Sequence, residues 1–393
     1  MKTADTAHSE GPSAFPQAAE LELRGVSKHY AGQRKAAISD LSFTVPAGEV
    51  CVLVGPSGSG KTTAMRLINR MIPISGGDIL LGGRSVLERE PKALRREIGY
   101  VIQQIGLFPH QTVGENIATV PQLLGWEQER TRKRVQELME LIGLDPEMGR
   151  RYPAQLSGGQ RQRVGVARAL AADPPLMLMD EPFGAIDPIN RARLQDEFLA
   201  LQEKVKKTVV FVTHDIDEAI KMGDRIAILR EGGVLAQYDT PQEILTHPAD
   251  SFVAQFVGKD RGLKRLSLTK LAELKLIEPN GLRADLSSEG ERRVSRETSV
   301  RDALSALLTG GGEPLTVIDG EGEVEGLLTL GLVEELLSEE ADGGAPGSSG
   351  ASSSGDGPAR AGAHARVPSA GAQTGDSTGP SHPGEASTSG EGG

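Results

Sequence analysis

The sequence predicts an α/β protein built around a mostly parallel β-sheet. Three continuous apolar runs, each bounded by turn or polar residues, have the pattern of strands buried on both faces of such a sheet; they are Val50–Val54, Leu176–Met179 and Val209–Val212. Between these runs apolar residues recur at helical spacing, as they do within residues 130–144. Strands that alternate with helices indicate an α/β sheet.

Ahead of the first buried run, apolar residues alternate with polar ones. Leu21 and Leu23, and then Leu41, Phe43 and Val45, follow the period of two that half-buried strands show. We therefore expect a smaller β-structure before the central sheet.

Composition and charge exclude several classes of protein. With 38% hydrophobic and 25% charged residues the chain has an ordinary globular composition, and it has no apolar run of the roughly 18–20 residues that cross a bilayer. The segment Met1–Phe15 has no apolar centre and is not a secretory signal, so we expect a cytoplasmic protein. Cys51 is the single cysteine, which forbids an internal disulfide. The net charge of −11 comes mostly from residues behind position 262, so no basic surface for nucleic acid is expected.

Changes in pattern divide the chain into four segments. Residues 1–19 form a polar leader that we expect to be disordered, and residues 20–262 form the main domain. Residues 263–340 resemble a smaller α/β unit, with strands Leu315–Ile318 and Val324–Leu328 and an acidic helix Leu332–Glu340. Residues 341–393 are rich in Gly, Ser and Pro and carry too little apolar surface to fold, so this tail is expected to be disordered.

A phosphate-binding loop follows the strand Val50–Val54. The run from Gly55 to Thr62 fits the pattern G-x-x-x-x-G-K-[ST] in full and opens a helical pattern that reaches Ile72. Glycines let backbone N–H groups turn toward a phosphate, and the following helix adds the positive end of its dipole. Lys61 is expected to reach the β- and γ-phosphates of ATP, and the Thr62 hydroxyl to bind Mg²⁺.

The strand Leu176–Met179 ends in two adjacent carboxylates and resembles a Walker B motif. We expect Asp180 to hold Mg²⁺, directly or through water, and Glu181 to polarise the attacking water. An apolar strand that ends in Asp-Glu is a weak signal alone, but it becomes strong beside a phosphate-binding loop.

The segment Leu156-Ser-Gly-Gly-Gln160 resembles the signature motif of the ABC ATPases. Ser157 is a good N-cap for the helical pattern Arg161–Ala171, so the segment is itself an anion site at a helix N-terminus. The resemblance covers residues 20–260. It implies a P-loop fold of the ABC type, with an N-terminal antiparallel β subdomain and a helical subdomain near residues 104–170. It also implies a homodimer in which each ATP lies between the phosphate-binding loop of one subunit and the signature of the other.

The remaining motifs of the family fit residue by residue. Tyr30 occupies the position of an aromatic that stacks on adenine, and Gln103 that of the Q-loop glutamine, which contacts Mg²⁺ or the water; the neighbouring Gln104 is its alternative. Asp187 closes the D-loop, and His214 matches the switch histidine that contacts the γ-phosphate. Catalytic roles therefore fall to Glu181, His214 and Gln103, and metal binding to Thr62, Gln103 and Asp180. The residues expected at the nucleotide are Tyr30, Gly55, Pro56, Ser57, Gly58, Ser59, Gly60, Lys61, Thr62, Thr63, Ser157, Gly158, Gly159, Gln160 and Asp187.

Three segments have amino-acid sequences that resemble those of the osmoprotectant importers within the ABC family: Asn69–Ile72, Ile98–His110 and Asp180–Ile189. That branch implies uptake of glycine betaine, choline, carnitine or proline. It also implies that the ATPase lies at the cytoplasmic face of the membrane on an integral-membrane permease, which works with an extracytoplasmic substrate-binding protein. The alternatives are the ATPase of another amino-acid or polyamine importer, and a regulatory module that binds ATP without transport.

Residues 313–329 resemble the strand–turn–strand core of a CBS repeat. The ribose-binding aspartate of such repeats is replaced by Leu332, so two roles stay open for this CBS-like unit: sensing of a ligand, or dimerisation and packing alone.

Overall fold

The structure, a computed structural model, describes residues 18–102, 106–184, 186–277 and 292–342, with side chains to residue 337. Gln103, nearly all of the leader expected over residues 1–19 and nearly all of the tail expected over 341–393 lie outside the described residues. In the part that is described, no helix is long and apolar enough to span a membrane.

Strands occur along the whole length of the described chain. In chain order they are β1 (Leu21–Lys28), β2 (Ile38–Val45), β3 (Val50–Val54), β4 (Gly76–Leu81), β5 (Arg84–Ser85), β6 (Ile98–Val101), β7 (Leu176–Asp180), β8 (Thr208–Val212), β9 (Arg225–Arg230), β10 (Val234–Asp239), β11 (Arg293–Ser295), β12 (Leu315–Ile318) and β13 (Val324–Leu328).

The α-helices lie between these strands, except for the last helix, which follows the last strand. In chain order they are α1 (Lys61–Ile68), α2 (Pro91–Glu97), α3 (Val113–Leu123), α4 (Gln128–Leu141), α5 (Gly158–Leu170), α6 (Pro188–Val205), α7 (Ile216–Met222), α8 (Pro241–Thr246), α9 (Ser251–Val257), α10 (Arg261–Leu266), α11 (Val300–Thr309) and α12 (Leu330–Asp342).

A six-stranded sheet of order β10-β9-β3-β8-β7-β6 forms the centre of the described structure. Its pairings are parallel except for the antiparallel edge strand β10. The three apolar runs form β3, β7 and β8, and their apolar residues are buried, as expected for strands covered on both faces. The predicted parallel sheet is therefore confirmed.

The alternating apolar residues before the central sheet form a second sheet, of order β2-β1-β4-β5. Strands β1 and β2 pair antiparallel with Leu21 opposite Val45 and Leu23 opposite Phe43, and these four side chains are buried. Together with Cys51 they belong to one apolar core between the two sheets. This confirms the N-terminal antiparallel subdomain, and it places Cys51 in the core.

The helical region expected near residues 104–170 contains α3, α4 and α5. The helical pattern of residues 130–144 forms α4, which ends at Leu141 because Gly143 turns the chain at φ +63°. The pattern that was expected to continue to Ile72 ends earlier. Helix α1 stops at Ile68, since Arg70 adopts a left-handed φ of 46° and leaves Met71 46% exposed.

The C-terminal unit has its own three-stranded sheet, of order β11-β12-β13, and its own core. Strands β12 and β13 have the predicted bounds, and the predicted acidic helix begins two residues earlier, as α12. Strand β11 pairs parallel to β12 and was not predicted, because it is only three residues long and its side chains are half-buried or exposed.

Candidate nucleotide-binding site

The loop between β3 and α1 has a backbone that glycine alone fits at two positions. Gly55 adopts φ +154°, and a Cβ there would lie 2.2 Å from the carbonyl oxygen of Leu229. Gly60, the N-cap of α1, adopts φ +87°, and a Cβ there would lie 2.6 Å from the carbonyl oxygen of Ala37. The loop is thus pressed against two neighbouring segments and is held in one shape ahead of the helix N-terminus, where anions bind.

The Lys61 side chain lies along this loop and is largely buried. Its ammonium donates hydrogen bonds to the carbonyl oxygens of Gly55 (2.8 Å) and Pro56 (3.0 Å) and lies 3.4 Å from the Ser59 hydroxyl oxygen. Burial lowers the pKa of Lys61, and the nearby carboxylates of Glu181 and Asp180 act in the opposite direction. A cation held by weak carbonyl partners can turn toward a stronger one, such as a phosphate oxygen.

Thr62 and Asp180 come together where β7 meets the first turn of α1. The Thr62 hydroxyl donates a hydrogen bond to Asp180 Oδ1 across 3.3 Å. Burial raises the pKa of Asp180, and the Thr62 hydrogen bond and the nearby charges of Arg66 and Lys61 act in the opposite direction. A hydroxyl and a carboxylate oxygen are hard donors of the kind that Mg²⁺ prefers, so the donor set fits this ion.

Glu181 directly follows Asp180, the last residue of β7, and is not part of that strand. Its backbone adopts a left-handed φ of 44°, and its N–H donates to the carbonyl oxygen of Val212 across 2.9 Å. The carboxylate oxygen Oε1 lies 3.3 Å from Nδ1 of His214, which follows β8. Two sequence-distant residues that were assigned catalytic roles are therefore neighbours.

Tyr30 lies just beyond the end of β1. The Lys28 ammonium lies 5.1 Å from the centre of the Tyr30 ring. Lys28 also accepts a backbone hydrogen bond from Ala37, whose carbonyl oxygen borders Gly60. The segment that carries Tyr30 thus runs next to the phosphate-binding loop.

The signature residues form the start of α5. Ser157 is the N-cap; its hydroxyl accepts from the Gln160 N–H, and the Gln160 side chain accepts in return from the Ser157 N–H. Ser157 and Gly158 are exposed. In the described residues no hydrogen bond or ion pair joins this segment to the phosphate-binding loop. The structure therefore presents the signature outward.

Asp187 has a comparable position at α6. As N-cap it accepts from the backbone N–H and the side-chain amide of Asn190, at 3.1 and 2.8 Å, and these bonds lower its pKa. Its side chain is exposed, and among the described residues no hydrogen bond or ion pair joins it to the phosphate-binding loop. Gln103 lies outside the described residues, so its expected role stays a prediction.

One polar contact near the site was missed from the sequence. Glu218 of α7 is buried, and its carboxylate accepts from the Gln195 amide of α6 across 2.9 Å. Burial raises the pKa of Glu218, against the hydrogen bonds from Thr213 and Gln195. An acidic residue in the first turn of a helix is usually a solvated dipole partner, so the sequence held no signal of its burial.

Fold and site together define a P-loop nucleotide-binding protein, and comparison with known proteins refines the class. Residues 38–184 match the sequence profile of the family described as ABC transporter. The chain is 45% identical over 327 residues to the osmoprotectant import ATP-binding protein OsmV of Salmonella typhimurium, covering 82% of this chain and 81% of that protein. It is also 45% identical over 316 residues to the glycine betaine/carnitine/choline transport ATP-binding protein OpuCA of Bacillus subtilis, covering 80% of each.

A solved structure shows the same fold. The dimeric post-hydrolysis state of the ATP-binding cassette MJ0796, bound to ADP and Pi, is 33% identical with a TM-score of 0.50, covering 56% of this chain and 98% of that one. The chain belongs to the ATP-binding subunits of ABC transporters, in the branch that contains the osmoprotectant import proteins. It is an ATPase.

Proposed function

We propose that this chain powers the import of an osmoprotectant, namely glycine betaine, choline, carnitine or proline. The observation that carries this proposal is the 45% identity to two osmoprotectant transport subunits over about four-fifths of the chain. Because solute is selected by other subunits of an importer, the choice among these four compounds rests on the relatives and not on this chain's own site.

ATP would bind between the phosphate-binding loop and Tyr30. The loop N–H groups and Lys61 would hold the β- and γ-phosphates, with Lys61 exchanging the carbonyl oxygens of Gly55 and Pro56 for phosphate oxygens. Tyr30 would stack on the adenine. The lowered pKa of Lys61 supports this assignment, since a buried cation gains most from an incoming anion.

Thr62, Asp180 and Gln103 would hold Mg²⁺, which, when bound, neutralises charge on the phosphates. Glu181 would orient the attacking water and accept its proton, and its carboxylate is kept in place by the left-handed backbone that hydrogen-bonds to β8. His214, 3.3 Å from Glu181, would contact the γ-phosphate and keep the carboxylate turned toward the water.

A second copy of the chain would complete each site. Ser157, Gly158, Gly159 and Gln160 form a helix N-terminus that suits a phosphate, with Ser157 and Gly158 exposed, and Asp187 is the exposed N-cap of α6. We propose that these residues of one subunit face the phosphate-binding loop of its partner in a homodimer.

The proposed assembly also includes an integral-membrane permease, which would place the ATPase at the cytoplasmic face of the membrane, and an extracytoplasmic substrate-binding protein. Exposed apolar side chains in the helical region support a permease contact. Phe108 is 39% exposed and Tyr152 47% exposed. The Phe108 N–H donates to Asn116 Oδ1 of α3, and the Val113 N–H donates to the carbonyl oxygen of Arg151, so the backbone next to each of these side chains is tied to the start of that helix.

The test is the ATPase rate of the chain in nanodiscs, assembled with its permease and its substrate-binding protein. We expect glycine betaine, choline, carnitine or proline to stimulate the rate, while putrescine and arginine do not. Stimulation by putrescine or arginine alone would replace the proposal with a polyamine or other amino-acid importer. ATP binding without turnover under all of these conditions would indicate a regulatory module.

A further inference from the structure

The chain between the ATPase domain and the C-terminal unit is fixed to both of them. Helix α10 packs against α8 of the ATPase domain and against α11 of the C-terminal unit. Leu266, the last residue of α10, is buried in the C-terminal core, while Leu268, two residues further on, packs against the core of the ATPase domain. A displacement of the C-terminal unit must therefore move α10 or strain it.

Lys264, in the middle of α10, places its charge against the ATPase domain. The residue is only 8% exposed. Its ammonium donates to the carbonyl oxygen of Val257 across 2.8 Å and lies 3.1 Å from Asp217 and 3.4 Å from Asp260. A buried ammonium is tolerated only where oxygens surround it, so these three contacts determine the position of the side chain.

Asp217 belongs to the segment that carries His214. Helix α7 starts two residues after that histidine, and its N-cap Asp215 accepts hydrogen bonds from the N–H groups of Asp217 and Glu218. The N–H of Asp215 in turn donates to the Thr213 hydroxyl. His214 therefore lies within one continuous set of local hydrogen bonds that includes Asp217.

We propose that Lys264 is a positioning residue through which the C-terminal unit acts on ATP hydrolysis. When the unit shifts, α10 carries Lys264 with it, and the Lys264–Asp217 ion pair transmits the shift to the first turn of α7 and so to the His214–Glu181 contact. The inference rests on the proposed role of His214, and it gives residues 263–342 a task that does not require them to bind a nucleotide.

The first experiment uses the full chain with Lys264→Met, Asp217→Asn and the double variant. Lys221→Met is the matched control, because Lys221 also lies on α7 and pairs with Asp196 across 2.7 Å, but within the ATPase domain. Hydrogen exchange at the Asp217 and Glu218 amides and the imidazole NMR signal of His214 are measured beside kcat. We expect each single variant to change kcat by about fivefold, the low end of coupling between sites, with KM for ATP nearly unchanged.

The double variant is expected to behave like either single one, and Lys221→Met to leave the His214 signal in place. Additive effects of the two substitutions, or an unmoved His214 signal in folded Lys264→Met protein, would overturn the proposal. The exchange and NMR results do not depend on what His214 does chemically. A His214→Ala variant with normal turnover would therefore remove the proposed role of His214 without affecting the measured coupling.

The second experiment disturbs the C-terminal unit itself. Leu307 is fully buried on α11, against which α10 packs. Leu307→Val, a mild core change, is expected to alter exchange at the Asp217 amide in the otherwise unchanged chain and to have no effect there in the Asp217→Asn background. Equal effects in both backgrounds would show that the unit acts by another route.

Discussion

Nδ1 of His214 lies 3.3 Å from Oε1 of Glu181, although the two residues follow different strands of the central sheet. The contact exists because β7 and β8 are parallel neighbours, so their carboxyl ends open at the same edge. The Glu181 N–H also donates to the carbonyl oxygen of Val212, the last residue of β8, which ties the two strand ends together. Glu181 is therefore held at both its backbone and its carboxylate.

Replacing Glu181 by glutamine should separate binding from hydrolysis. The carboxamide has the same shape but cannot accept the proton of the water, so Glu181→Gln should keep ATP affinity and lose about 10²–10⁴ in kcat. Phosphate release and nucleotide binding are measured on the same purified protein, and an ATP-bound dimer is expected to accumulate. Near-normal turnover of this variant would remove Glu181 from the role of general base.

Mixing two inactive variants should restore activity if the sites are shared between subunits. Lys61→Ala should weaken nucleotide binding, and Ser157→Ala should remove the signature hydroxyl. In a mixed dimer one composite site is intact, so part of the ATPase activity should return on mixing. The amount that returns depends on whether one intact site is enough for hydrolysis. Activity that stays constant per chain on dilution would instead indicate a self-contained site.

The Ser157 substitution also removes a helix cap, which costs about 1 kcal/mol in general. Thr240→Ala is the control, because the Thr240 hydroxyl caps α8 by accepting from the Glu243 N–H in the same way. We expect this control to lower Tm comparably and to leave ATPase activity and mixing unaffected.

Two glycines of the phosphate-binding loop should differ in their tolerance of alanine. At Gly58, with φ +81° and no atom within 4 Å of a built Cβ, alanine brings backbone strain alone, about 1–2 kcal/mol. At Gly55 a Cβ would also meet the Leu229 carbonyl oxygen at 2.2 Å, so the loop or β9 must move. Thermal unfolding without nucleotide should show the larger loss for Gly55→Ala, and equal losses would contradict the close approach.

The buried carboxyl of Glu218 should make stability depend on pH. Its folded-state pKa is raised above the ordinary 4.5, so folding favours the protonated form. The stability contributed by that form is complete below pH 4.5 and is lost as pH rises through the raised pKa. The Tm of Glu218→Gln relative to the unchanged chain should therefore increase from pH 4 to pH 7. A flat difference across this range would mean that Glu218 is not desolvated.

The sequence by itself determined the parts of this protein that depend on local patterns. Short continuous apolar runs bounded by turn or polar residues indicated β3, β7 and β8, because a strand covered on both faces is apolar at successive positions, and β12 and β13 were predicted with their observed bounds. The fixed spacing predicted the glycines, Lys61 and Thr62 of the phosphate-binding loop, because the conformation of that loop requires these residue types at these positions.

Tertiary structure decided what depends on contacts between distant segments. The end of α1 at Ile68 follows from a backbone turn at Arg70, which apolar periodicity does not encode. Burial of Glu218 requires the packing of α6 on α7, and the Lys264–Asp217 pair requires α10 to fold back on the ATPase domain. A charged residue has the same appearance in a sequence whether water or a neighbouring helix surrounds it, so only the assembled fold could distinguish these two cases.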